Sequence, residues 1–86
     1  MFYIYVLYSK KQDKFYTGFT ENLIQRMKEH DSKKSLSDRR IKNLDLVYYE
    51  ACRSKTDALI REKQLKTGFG RQYLRKRLIN SVNKPL

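Results

Sequence analysis

The chain of 86 residues is enough for one domain spanning residues 1–86, and a domain this small buries only about 60 to 65% of the surface its unfolded chain exposes. Twenty Lys and Arg against nine Asp and Glu leave a formal charge of +11, which no neutral small-molecule enzyme needs and which points to a polyanionic partner. The lone Cys52 excludes an intrachain disulfide or a thiolate metal cluster, and no signal-peptide pattern or run of roughly 18 apolar residues is present, so the expectation is a soluble, cytoplasmic protein with no membrane partner.

Residues 2–9, FYIYVLYS, carry aromatic and β-branched side chains on both parities, as in a strand covered on both faces, so this strand is expected at the centre of a sheet. SKKQDK reads as a polar loop and KFYTGF as a second strand, completing a hairpin. A tight loop near Lys11 and Gln12 sets Tyr5 opposite Gly18 and Leu7 opposite Tyr16. Tyr5, Tyr16 and Gly18 then share one face.

Thr20 is the predicted N-cap of a helix running to about Asp31, with Leu23, Ile24 and Met27 as its apolar positions. At roughly 100° per residue, Arg26 and His30 fall together on one border of that stripe, facing the same space. The polar stretch that follows is read as a loop in which Lys33, Lys34, Arg39 and Arg40 are candidate phosphate contacts, a solvated loop being the ordinary alternative. LDLVYYEAC is a third strand. SKTD fits a capping box opening a second helix that Gly68 is expected to end as its C′ residue. After Gly70, a basic third helix carries Tyr73, Leu74 and Leu78 at core spacing, with Arg71 and Arg75 as candidate phosphate contacts.

Ala58, Leu59 and Leu65 define the stripe of the second helix, and Glu62 sits inside it. A carboxylate aimed at the core side must find a cation, a metal ion or hydrogen-bond donors, or emerge at the rim of a cleft. A salt bridge to a Lys or Arg and a functional role are equally open from pattern alone.

Several machineries are excluded. One His and one Cys give no zinc ligand set, GFG at residues 68–70 lacks the spacing and the Lys-Ser/Thr tail of a phosphate loop, and no pair of acidic residues suits a two-metal nuclease. What remains suits in-line phosphodiester cleavage. Arg26 offers a planar fork for phosphate oxygens, and Glu62 can hold one Mg²⁺, which binds to one or two carboxylates, water and substrate phosphate. A tyrosine could serve as base if its pKa of about 10 were lowered by cation and metal, or if His30 shared the proton.

YIY at residues 3–5, YTG at residues 16–18, Arg26, His30 and Glu62 within REKQLK together resemble the GIY-YIG nuclease superfamily. The likeness runs from Phe2 to about Ile79. It is nearest to the small stand-alone members, which are similar to the N-terminal nuclease domain of the bacterial excision-repair nuclease subunit. The resemblance implies an α/β (α+β) fold, a three-stranded antiparallel sheet with flanking helices in the order β-β-α-β-α-α, and phosphodiester hydrolysis with a single Mg²⁺ or Mn²⁺. It makes Tyr5 and Tyr16 the motif tyrosines, one of them the base, and Gly18 the motif glycine. Arg26 becomes the scissile-phosphate arginine, His30 an assistant to the base and Glu62 the metal ligand. Tyr3 stands in place of the first motif's glycine, Thr17 in place of an isoleucine, and Phe19 where several active members carry lysine.

The expectation is therefore an endonuclease acting on nucleic acid, DNA favoured over RNA, in DNA repair or recombination, with a protein partner left open. The alternative is a nucleic-acid-binding module of the same fold with little or no turnover. A basic structural component of an RNA-protein assembly ranks last, because it leaves Glu62 unexplained.

Overall fold

The strand richest in apolar residues takes the middle of the sheet. In the computed structural model, which describes residues 1–31 and 44–82, β1 (Phe2–Ser9) lies between β2 (Lys14–Thr20) and β3 (Leu44–Cys52), both antiparallel to it. Lys33, Lys34, Arg39 and Arg40 lie outside the described residues. The β1–β2 register pairs Tyr5 with Gly18 and Leu7 with Tyr16, as the sequence predicts. The hairpin closes through Asp13, whose φ of 55° lies in the left-handed region that Asp tolerates better than most residues. Against β3 the register slips between Val6 and Leu7, paired with Tyr48 and Leu46, leaving Val47 as the extra residue of a bulge.

The helices are α1 (Leu23–Asp31), α2 (Lys55–Leu65), α3 (Gly68–Arg77) and the short α4 (Ile79–Val82). The fold is α+β in the predicted order, with α4 the one addition. Its core lies on the face of β1 that carries Ile4 and Val6, where Ala58 and Leu65 of α2 and Leu74 and Leu78 pack against them. Phe2, Phe15 and Phe19 border that cluster. Ile4, Val6, Ala58 and Leu74 have no exposed surface at all, so this thin core is nevertheless dry.

Three local expectations are corrected. The cap of α1 is Asn22, whose Oδ1 accepts from the Gln25 amide at 3.0 Å. Thr20 instead pairs with Tyr3 in the sheet, and its Oγ1 accepts from the Asn22 amide at 3.1 Å, so the strand keeps this residue and the helix begins later. Ile24 projects from α1 at 71% exposure rather than lying in an apolar stripe. Gly68 is not the C′ residue of α2: Lys66 ends that helix, and Thr67 already caps α3 by accepting from the Gly70 amide at 3.1 Å. Ser54 caps α2 as expected, accepting from the Asp57 amide at 3.3 Å. Among the described residues, no helix is long and apolar enough to cross a membrane.

Candidate active site

The centre of the predicted constellation assembles on the sheet face opposite Ile4 and Val6. Alternation along β1 points Tyr5 to that face, and β2 brings Gly18 directly across from it. A Cβ on residue 18 would lie 2.4 Å from both Cζ and Oη of Tyr5, so the tyrosine ring occupies the space that any other residue's side chain would need. Tyr5 is thereby folded down against the sheet and is only 6% exposed.

From α1, Arg26 donates through Nη1 to the Tyr5 hydroxyl at 3.3 Å. The helix is placed for this by the short connection after β2 and by the Asn22 cap, with the Arg26 amide donating to Asn22 O at 3.1 Å. One turn on, the His30 ring meets Tyr5 edge-on, with centroids 6.3 Å apart and planes at 67°. Glu29 steadies the guanidinium, its Oε1 lying 3.4 Å from Arg26 Nε. Tyr5, Gly18, Arg26 and His30 thus form one cluster.

Tyr16 shares the face of Tyr5, but its hydroxyl is bonded to Gln12 Oε1 in the hairpin loop. Glu62 lies on α2, with its side chain 18% exposed at the border of the buried stripe, and pairs with Lys66 Nζ at 3.1 Å. Both readings of Glu62 left open by the sequence therefore meet in one residue: a carboxylate with a cation beside it, yet partly open to solvent. Among the described residues, no group of three or more His, Cys, Asp and Glu side chains is assembled to hold a metal ion. A single hard carboxylate nonetheless suits Mg²⁺ or Mn²⁺, which fills its other positions with water and phosphate oxygens, and the exposed Lys66 can swing aside.

The remaining candidate cations differ in their surroundings. Arg71 is exposed in the first turn of α3 and donates to Lys66 O at 3.0 Å. Arg75 is committed to the hairpin: it donates to Asp13 Oδ1 and to Asp13 O, both at 2.7 Å, and lies 5.2 Å over the Phe15 ring. Tyr8 donates to the same Asp13 carboxylate at 2.6 Å. The Arg75 guanidinium and then the Tyr8 hydroxyl hold the Asp13 carboxyl below its ordinary pKa, while the bond to Asp13 pushes the Tyr8 phenol up.

A second polar cluster ties β3 to α2 and α3. Arg61 donates to Glu50 from Nε at 3.0 Å and from Nη2 at 2.9 Å, Tyr48 donates to Glu50 at 2.7 Å, and Arg61 lies 5.1 Å over the Tyr73 ring. Burial works to raise the Glu50 pKa, but the Arg61 and Tyr48 hydrogen bonds outweigh it and leave the carboxyl below its ordinary value. Sequence reasoning singled out neither Asp13 nor Glu50, since the Arg that engages each lies on another element, 62 positions away for Arg75 and 11 for Arg61, and no spacing announces it.

Residues 1–77 match the family described as the GIY-YIG catalytic domain. A UPF0213 protein of Limosilactobacillus reuteri (strain DSM 20016) is 39% identical over 74 residues, covering 83% of this chain and 76% of the relative. No solved structure matches the chain.

Proposed function

Because the chain belongs to the GIY-YIG catalytic domain family, we propose that it is a divalent-metal-dependent endonuclease hydrolysing phosphodiester bonds of nucleic acid. DNA is favoured over RNA, and DNA repair or recombination in the cytoplasm is the setting. The observation that carries this reading is the Tyr5 hydroxyl, held over Gly18 with Arg26 Nη1 3.3 Å away and His30 against the ring edge.

The chemistry follows from how those donors are used. The Tyr5 oxygen accepts from Arg26, so its own proton points elsewhere; to act as base, Tyr5 would first give up that proton and then, as phenolate, take one from the attacking water. Tyr16 is the weaker candidate for the base, since its hydroxyl is engaged with Gln12. His30, whose ring lies edge-on to Tyr5, is the group we assign to receive the phenol proton. The five N–H groups of Arg26 exceed what Tyr5 and Glu29 use, leaving donors for the scissile phosphate. Glu62 would hold the metal ion, which when bound would neutralise charge on the phosphate and stabilise the leaving oxygen. α2, which carries Glu62, packs against β2, the strand that α1 follows.

The Glu62–Lys66 pair favours a second reading, a binding module in which an ammonium permanently occupies the carboxylate. A plasmid-nicking assay with and without chelator separates the two. The nuclease reading expects nicking that chelator abolishes, lost by roughly 10²-fold or more in Glu62→Ala. Equal activity, or equal inactivity, of wild type and Glu62→Ala overturns it. Arg26→Ala sharpens the contrast, as a nuclease loses rate far more than affinity, whereas a binder loses only modest affinity.

A further inference from the structure

GFG at residues 68–70 is not a phosphate loop, yet it carries the most exposed large hydrophobic side chain among the described residues: Phe69, at 85% exposure. Several other aromatic residues pair with one another, as Phe2 does with Phe19 and Tyr8 with Phe15. Phe69 instead stands in the first turn of α3, with Lys63 and Lys66 at the end of α2 before it and Arg71 after it.

The ring is held out on a fixed mount. Gly70 is buried, and a Cβ there would lie 2.2 Å from Gln64 O and 2.5 Å from Leu65 Cα, so the first turn of α3 sits directly on the backbone of the last turn of α2. Thr67 locks the junction from both sides: its Oγ1 accepts from the Gly70 amide at 3.1 Å and donates to Gln64 O at 2.7 Å. Arg71 adds its bond to Lys66 O. At Gly68, by contrast, a Cβ would meet nothing within 4 Å, so the space beside the mount is open.

We propose that Phe69 is a stacking platform for an unpaired nucleobase, with Lys63, Lys66 and Arg71 drawing in the phosphates on either side. An exposed π-face with cations before and after it in the chain suits a ligand that alternates flat apolar bases with negative charges. It suits a second copy of this chain poorly, because two such patches would bring like charges together on molecules of net charge +11. Bases inside a duplex are already stacked, so the platform selects single strands, flaps or frayed ends. Lys66 is also the partner of Glu62, so one of the proposed phosphate contacts adjoins the carboxylate assigned to the metal. The inference rests on nucleic acid being the substrate, but it does not require turnover.

Binding measured by fluorescence anisotropy in chelator tests it, using an oligothymidylate of about 16 nucleotides and a duplex of equal length. Phe69→Ala is expected to weaken single-strand binding by roughly 5- to 100-fold while keeping wild-type Tm and duplex affinity. Since the chain has no Trp, Phe69→Trp supplies a single reporter, whose emission should be quenched by the single strand and restore its affinity. Single-strand affinity unchanged in Phe69→Ala, an equal loss on both ligands, or Trp emission that saturating oligothymidylate leaves unmoved would each overturn the proposal. So would a dimer that Phe69→Ala dissociates with nucleic-acid affinity intact. If the wild type binds neither ligand, the nucleic-acid reading itself falls, and the platform with it.

Discussion

Gly18 decides where the Tyr5 hydroxyl can be. Its missing side chain is filled by the tyrosine ring, and the ring's position is what lets Arg26 reach the oxygen. Gly18→Ala places a methyl group 2.4 Å from Cζ and Oη, and since those atoms form the far end of a side chain, the ring rather than the backbone gives way. The expected result is a stability loss of about 1–3 kcal/mol, typical of overpacking, together with a much larger loss of nicking activity as Tyr5 swings off Arg26. A variant that melts early but nicks at the wild-type rate would show that Tyr5 need not occupy this position. The pairing of Tyr5 with Gly18 was legible in advance, because a tight hairpin leaves few registers. That a tyrosine ring fills the glycine's space was not, as spacing says nothing of side-chain direction.

At the scale of elements, the three strands and three main helices follow from composition and period, while the junctions follow from competition between neighbours. Thr20 and Asn22 are both good N-caps, and strand pairing with Tyr3 decides between them. Glu62 was legible as a carboxylate on a buried stripe, whereas Arg61, one residue before it, gave no sign of its bond to Glu50 across the sheet. That bond makes the β3–α2 contact sensitive to acid. The folded-state pKa of Glu50 is lowered, so its stabilisation is complete above the unfolded value near 4.5 and is lost as pH falls through the folded one. The Tm of the wild type should therefore drop more steeply below pH 4.5 than that of Glu50→Gln, which starts lower at neutral pH. Parallel curves in a thermal-melt series would remove Glu50 from the account. Tyr48 works in the opposite direction: its phenol is raised, chiefly by burial, so its share of stability holds below the unfolded value near 10 and fades at higher pH.

The described residues form a slab of 35 × 31 × 20 Å, and the chain as a whole carries a large positive charge. Among the described residues, Asp13, Glu29, Glu50 and Glu62 are each engaged by an Arg or Lys of the same chain, so several acidic groups are spent internally on holding the fold. The outward field is left to the remaining Lys and Arg. Nucleic-acid affinity should consequently fall by roughly 10³-fold or more between about 50 and 200 mM salt if several phosphates are contacted. A flat titration would argue against both the nuclease and the binding module.

The clasp between Asp13 and Arg75 joins residues 62 positions apart, and the most buried strand, β1, draws its cover from β3, α2 and α3, all later in the chain. During synthesis the N-terminal hairpin must emerge with Ile4 and Val6 bare and wait for Leu74 and Leu78 before its apolar face is closed. Among the described residues, no segment before α2 contains a core of its own. The domain is thus built to fold in one cooperative step after most of it has left the ribosome, with the interval before that step as its period of greatest exposure to aggregation.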